Sequence, residues 1–194
     1  SPYGNLWSNY FDGTSTVSMS TMLTVPSSSA HNYLASGDFT IEGWINPTQY
    51  QNYSRIIVIN STYTTNSVGI AINPGNTLAF YAYNVANPML YSNSAIPFGS
   101  WTHFAVCRSG TSFKMFINGA LQTATYTTSS ALFNNTNPYI TIANGDVSVG
   151  GYSPFTGYIS NLRLVNSAVY TSAFTPSTTP LTAITNTSLL TCQS

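Results

Sequence analysis

The sequence predicts an all-β protein, a two-sheet antiparallel β-sandwich, and three observations carry that prediction. β-branched and aromatic residues recur in short runs that Gly, Pro, Asn and Ser clusters interrupt at intervals of about ten residues. Helical periodicity is almost absent from the 194 residues. An Asn-Gly dipeptide follows an alternating apolar run, the signature of a two-residue hairpin turn in which both central residues need positive φ.

Taken in order, the runs predict strands at 8–11, 39–46, 55–60, 67–73, 78–83, 101–108, 113–118, 139–142 and 155–165. Side chains alternate across a strand, so Trp101, His103, Ala105 and Cys107 share one face while Thr102, Phe104, Val106 and Arg108 share the other. Both faces are largely apolar, which makes this strand a central one covered on both sides. Trp44 and Trp101, each set among alternating apolar residues, are expected to be mostly buried and to anchor the sandwich. Asn118-Gly119, between Phe113, Met115, Ile117 and Leu121, reads as a type I′ turn. Asp12-Gly13 and Asn144-Gly145 are expected to be two more. Beyond Val165 the texture changes, because Pro176 and Pro180 cannot sit inside a central strand. Residues 1–194 are accordingly expected to form one domain, with 167–194 as a tail that wraps back over the sandwich and ends in a short strand near the N-terminus.

Charge bounds the partners. Lys and Arg total 4, as do Asp and Glu, so no basic field exists to hold nucleic acid or an anionic membrane. The 14 Tyr, 10 Phe and 3 Trp argue for a folded chain, and no apolar run approaches the ~20 residues of a spanning helix. Near-zero net charge favours self-association, which fits a homo-oligomer or a larger assembly. Cys107 and Cys192 could form one bridge, yet the strand context reads Cys107 as a small core residue.

Four segments carry a family resemblance: Tyr10-Phe11-Asp12-Gly13; Gly37 through Glu42-Gly43-Trp44-Ile45; Trp101-Thr102-His103-Phe104-Ala105-Val106, running on to Asn118-Gly119; and Phe155-Thr156-Gly157-Tyr158-Ile159-Ser160-Asn161-Leu162-Arg163. In order and spacing the chain resembles the laminin-G-like, concanavalin-A-like jelly-roll domains. Its ending, Ala168-Val169-Tyr170-Thr171 through Phe174-Thr175-Pro176 to Leu189-Leu190-Thr191-Cys192-Gln193, is similar to that of such domains in tail-fibre, head-fibre and decoration proteins of aquatic phages. The resemblance implies a place on a virion surface, or alternatively an extracellular one, with glycans or other virion subunits as partners.

The same fold includes glycoside hydrolases, whose mechanism needs two carboxylates flanking the scissile bond. Here the acids are Asp12, Asp38, Glu42 and Asp146, with no closely spaced acidic strand motif, so the chain is expected not to be an enzyme. Glu42 and Arg163 lie within apolar strands and need partners, Glu42 with Arg163 or with Arg108. His103 has no second ligand at metal spacing and reads as a sheet-face histidine bonded to a neighbour. No cofactor is expected. The resemblance admits one Ca²⁺ on the sandwich rim, for which Asp146 is the best donor, although Ca²⁺ wants more carboxylates than this chain can assemble.

Sugar binding pairs aromatic faces with amide and hydroxyl groups, and loops on a rigid scaffold are its usual place. The richest candidates are Tyr50, Asn52 and Tyr53; Tyr81, Tyr83 and Asn84; and Tyr152. Tyr and Asn are equally common as plain strand and turn residues on a charge-poor surface. The expectation is a non-catalytic, virion-associated module that attaches to glycans through these loops, with a ligand-free spacer domain between viral subunits as the rival and a secreted bacterial lectin-like module as a third reading.

Overall fold

The computed structural model describes residues 1–13, 22–60, 66–144 and 154–193. Its strands form two antiparallel sheets. In the seven-stranded sheet the order is β1 (Asn9–Asp12), β12 (Thr156–Val165), β3 (Phe39–Pro47), β8 (Thr102–Ser109), β9 (Ser112–Ile117) and β10 (Ala120–Thr127), with β13 (Thr187–Thr191) also paired to β12. The six-stranded sheet runs β2 (Leu23–Val25), β11 (Ile140–Ile142), β4 (Ser54–Ile59), β5 (Val68–Ile72), β6 (Thr77–Ala82) and β7 (Ala86–Ala95). One helical turn, α1 (Tyr33–Ser36), follows a short 3-10 turn whose Ser28 hydroxyl accepts the Ala30 N–H.

Alternation sorts the side chains. Phe39, Ile41, Ile45, Phe104, Val106, Phe113 and Met115 of the first sheet meet Ile57, Ile59, Ile70, Leu78 and Phe80 of the second in one buried core. Phe39, Phe80 and Phe113 form its centre, with ring centroids 6.1 to 6.3 Å apart, a spacing at which tilted and edge-on aromatic pairs attract. β8 is central, as its doubly apolar pattern predicts, between β3 and β9.

The outer face of the seven-stranded sheet is roofed by the C-terminal tail. Thr40 is the first anchor: its hydroxyl donates to the Ser167 carbonyl at 2.8 Å and accepts the Val169 N–H at 2.8 Å. Tyr170 and Phe174 stack at 3.6 Å and cover Ala105, Cys107 and Phe116. The tail ends as β13, which shares the β12 edge with the N-terminal strand β1. Cys107 and Cys192 are free and buried, so no bridge is needed to hold it.

Two expectations are corrected. Asp12-Gly13 is not a hairpin turn: Asp12 remains in β1, β1 pairs with β12, and the next described strand belongs to the other sheet. Asn144 likewise leads out of β11, which pairs with β2 and β4 rather than with the following strand, and Gly145 lies outside the described residues. A two-residue turn serves only strands that are neighbours in one sheet, and here the chain changes sheets. Trp44 and Trp101 are of intermediate exposure and lie on the outer face, outside the core between the sheets. Strands β2, β7 and β10 carry no strong apolar run, and each lies at a sheet edge, where polar residues and the Pro88 of β7 are tolerated.

The Asn118-Gly119 turn is confirmed, with φ of 48° and 77°. It also receives the tail: the Phe174 N–H donates to the Gly119 carbonyl at 3.0 Å, and a Cβ on Gly119 would lie 1.8 Å from the Phe174 carbonyl oxygen. Gly119→Ala therefore adds a clash to the strain of positive φ, whereas Gly110→Ala, with φ of 58° and open space around it, carries the strain alone. Thermal melts should place Gly119→Ala several degrees below Gly110→Ala, whose own cost is about 1 kcal/mol. Equal melting of the two variants would contradict the docking of the tail on this turn.

Candidate functional site

Register brings a set of polar and aromatic side chains onto the outer face of the seven-stranded sheet, at the end where β3 finishes and β8 begins. Tyr10 of β1 pairs with Tyr158 of β12, and Tyr158 with Asn46 of β3. One step further in, Ser160 pairs with Trp44, and Trp44 with His103. Trp101 enters β8 on the same face, 6.2 Å from the Tyr158 ring, while Tyr10 and Tyr158 lie 5.0 Å apart. A row of aromatic rings results, partly open to solvent.

Beside this row is a cleft of about 410 Å³ lined by Tyr3, Trp44, Trp101, Asn118, Pro176 and Ser177, among others. Sheet strands supply its floor, the N-terminal segment one wall, and the tail another. Tyr3 meets Trp44 edge-on at 5.9 Å. The Trp44 indole nitrogen and the Tyr3 hydroxyl are buried and have no protein partner beyond each other, and the Asn46 side-chain oxygen is buried with none. Burial raises the Tyr3 phenol above its ordinary pKa, against the opposing influence of the nearby Trp44 indole. Unmet polar atoms beside aromatic faces suit a ligand that brings hydroxyl groups.

Under the tail, next to the cleft, lies a buried charge network. Glu42 is fully buried. Its Oε1 accepts two hydrogen bonds from Arg163, Nε at 3.0 Å and Nη2 at 2.6 Å. Its Oε2 accepts the Tyr170 hydroxyl at 3.0 Å and lies 3.3 Å from His103 Nε2. The remaining arm of Arg163, Nη1, donates to the Thr182 carbonyl at 2.7 Å. Of the two partners that the sequence allows for Glu42, Arg163 is the one used. Burial pushes the Glu42 carboxyl up, but the His103 hydrogen bond and the Arg163 guanidinium outweigh it and hold the group below the usual glutamate range. Burial and the adjacent Glu42 carboxylate raise the Tyr170 phenol.

The other cations are also committed. Arg55 lies 4.5 Å over the Tyr81 ring and donates to the Tyr83 hydroxyl at 3.2 Å. Arg108 donates to the Gly110 and Ala35 carbonyls, and Lys114 to the Thr171 carbonyl. None of the four Lys and Arg residues lines the cleft.

The residues singled out by sequence are scattered by the fold. Tyr50, Asn52 and Tyr53 are exposed in the β3–β4 loop; the Tyr50 hydroxyl donates to Asn52, and its ring lies 6.4 Å from Phe98. This loop is at the same end of the sandwich as the cleft. Tyr83 and Asn84 follow β6 at the opposite end, Asn84 bonded to Asn66. Tyr81 is not a loop residue: it is 2% exposed within β6, its ring taken up by Arg55. Tyr152 and Asp146 lie outside the described residues. Among the described residues no three of His, Cys, Asp or Glu come together as a metal site. The sequence analysis missed Tyr3, Trp44, Trp101 and Asn118 as a group. The usable signal was Trp101, which alternation places on one face with His103.

A family model described as the concanavalin A-like lectin/glucanases superfamily matches residues 11–173. No curated protein matches the chain. Among solved structures, domain 4 of an extracellular arabinanase from Geobacillus stearothermophilus, in complex with arabinotriose, superposes with a TM-score of 0.64 at 18% identity, covering 87% of this chain and 75% of that one. A heptameric SAP-like pentraxin from Limulus polyphemus gives 0.56 at 18% identity, covering 83% and 76%. The CBM40 domain of the Ruminococcus gnavus IT-sialidase, bound to α2,3-sialyllactose, gives 0.54 at 13% identity, covering 71% and 87%. These likenesses are of fold.

The charge network sets an acid limit on stability. A carboxyl held below its unfolded value stabilises the fold above about pH 4.3, and that contribution is lost as pH falls through the folded value. His31 is buried and its pKa is lowered by burial, so protonation of the unfolded chain costs stability as pH falls past about 6.5. Melting temperature against pH should show both limbs. In His31→Gln the upper limb should vanish and the lower remain; loss of the lower limb in that variant would contradict its assignment to Glu42.

Proposed function

The chain belongs to the concanavalin A-like lectin/glucanases superfamily, and from that membership we propose that it is a non-catalytic module that binds neutral glycans in the Tyr3–Trp44–Trp101 cleft. The observation that carries this reading is the cleft's composition: two indoles and a phenol beside unpartnered polar atoms, with no charged side chain in its lining. Aromatic faces take the apolar face of a sugar ring, and amide and hydroxyl groups take its hydroxyls. The arabinotriose and sialyllactose complexes of the structural relatives support sugar as the ligand class. Tyr50 and Tyr53, exposed at the same end, extend the aromatic surface.

The placement of the described acids supports binding without catalysis. Glu42 is fully buried with both oxygens engaged, and the Asp38 carboxylate accepts the Gly110 N–H at 2.7 Å. Hydrolysis needs a pair of carboxylates flanking the bond to be broken, and the cleft lining includes none. In this reading binding is independent of Ca²⁺, the cleft lining including no carboxylate to hold it. The module's finer setting, in our reading, is a virion surface, where repeated copies turn weak single contacts into firm attachment. The rival, a spacer docked on other viral subunits, draws on Trp7, which is 83% exposed.

A glycan array probed with the domain as monomer and as artificial multimer, with EDTA present, tests the reading. Stacking and neutral hydrogen bonds are little screened, so signal should persist to about half-molar salt. Trp101→Ala, verified as folded by its melting curve, should lose roughly tenfold or more in affinity. Steep loss with salt would reject the neutral mechanism. Silence even from the multimer would favour the spacer.

A further inference from the structure

A second opening lies between the edges of the two sheets, where β7 approaches β10. The edges are stitched by amides: Gln122 Oε1 accepts the Asn93 N–H at 2.7 Å, and Asn93 Oδ1 accepts the backbone N–H and hydroxyl of Thr123 at 3.0 and 2.8 Å. Gln122 Nε2 donates to the Ala120 carbonyl at 2.8 Å, so the seam is closed without charge. Above it lies a groove of about 330 Å³ whose lining includes Asn93, Ala95, Pro97, Thr102, Asn118 and Gln122.

Two features of this groove point to a ligand. Thr102 is only 1% exposed, yet its hydroxyl has no partner in the protein. A buried hydroxyl left unmet is a cost that a ligand hydroxyl in the groove would remove. Asn118 lines both this groove and the Trp101 cleft. Its Oδ1 accepts the His103 N–H at 2.8 Å, which fixes the carboxamide and leaves its two N–H donors at the junction of the openings.

We infer that the β7–β10 groove is a second sugar subsite, joined to the Trp44–Trp101 cleft at Asn118, and that the domain recognises a neutral oligosaccharide rather than a single terminal sugar. This rests on the sugar-binding reading of the cleft. One unit stacks on the aromatic floor, the chain passes Asn118 where β9 ends and β8 begins, and the next unit offers hydroxyls to Thr102. Neither opening has a cation in its lining, so neither selects an anionic sugar.

The test is an array of neutral homo-oligosaccharide ladders, of arabinan, xylan, cellulose, mannan and galactan types, each running from monosaccharide to hexasaccharide. Affinity should rise between the monosaccharide and the trisaccharide of the ladder that binds. Thr102→Val keeps the side-chain shape and removes the unmet hydroxyl, so its melting temperature should hold or rise while affinity for the longer members falls about fivefold and that for the monosaccharide stays unchanged. Ala95→Trp, at an exposed lining position, should erase the gain with length. Affinity that is flat with length and indifferent to both variants, while Trp101→Ala still loses binding, would overturn the second subsite and leave the cleft reading intact. Absence of binding to every ladder by the wild-type multimer would overturn both.

Discussion

The Glu42 carboxylate is the interaction on which the rest of the outer face depends. A buried charge is tolerated only when it is paired and hydrogen-bonded, and removing one partner of such a pair costs about 3–5 kcal/mol. Here the partners come from two strands and from the tail: Arg163 of β12, His103 of β8, and Tyr170 beyond β12. Arg163 in turn reaches the Thr182 carbonyl. The tail is thus bonded to the charge at two points, 12 residues apart in sequence, and the stretch between them carries Phe174 onto the Asn118-Gly119 turn and Pro176 into the cleft wall. A charge buried under the tail therefore positions the wall of the proposed binding cleft, whose lining contains no charge.

Scarcity of charge runs through the whole molecule. All four cations are used inside the protein: Arg163 on Glu42, Arg55 on Tyr81 and Tyr83, Arg108 on backbone carbonyls and the Phe113 ring, Lys114 on the tail. Each one holds two separated pieces of chain together. What remains for recognition is neutral: indole and phenol rings, amides, hydroxyls and backbone. Hydrogen bonds among such groups are individually modest, so in the proposed function selectivity comes from shape and from the number of contacts across the two adjoining openings.

Much of the sandwich was legible because central strands must be apolar on at least one face. β8 announced itself by being apolar on both, and the turn at Asn118-Gly119 by its positive φ requirement. Edge strands were harder: β2, β7 and β10 are paired on one side only, and their sequences resemble loops. Alternation put Trp101 on one face with His103, but only the register of β3 against β8 puts Trp44 there too, and alternation could not say whether that face was core or surface, since both sheet faces of β3 and β8 are covered. The cleft was illegible for another reason. Tyr3, Trp44, Trp101 and Pro176 are brought together only by strand register and by the tail's path, and no local spacing records that path. Tyr81 misled because its position at the end of an apolar run resembles a loop entry, while Gly69 opposite leaves room for the ring to pack within the sheet.

The central claim, that the buried carboxylate holds the tail and so builds the cleft, is tested most directly by amide hydrogen exchange on Glu42→Gln under conditions where the variant remains folded. The account predicts loss of protection concentrated in residues 167–182 and on the outer-face strands β3, β8 and β12, with β4, β5 and β6 of the opposite sheet unchanged. Protection of the tail equal to that of the wild type in the folded variant would contradict it.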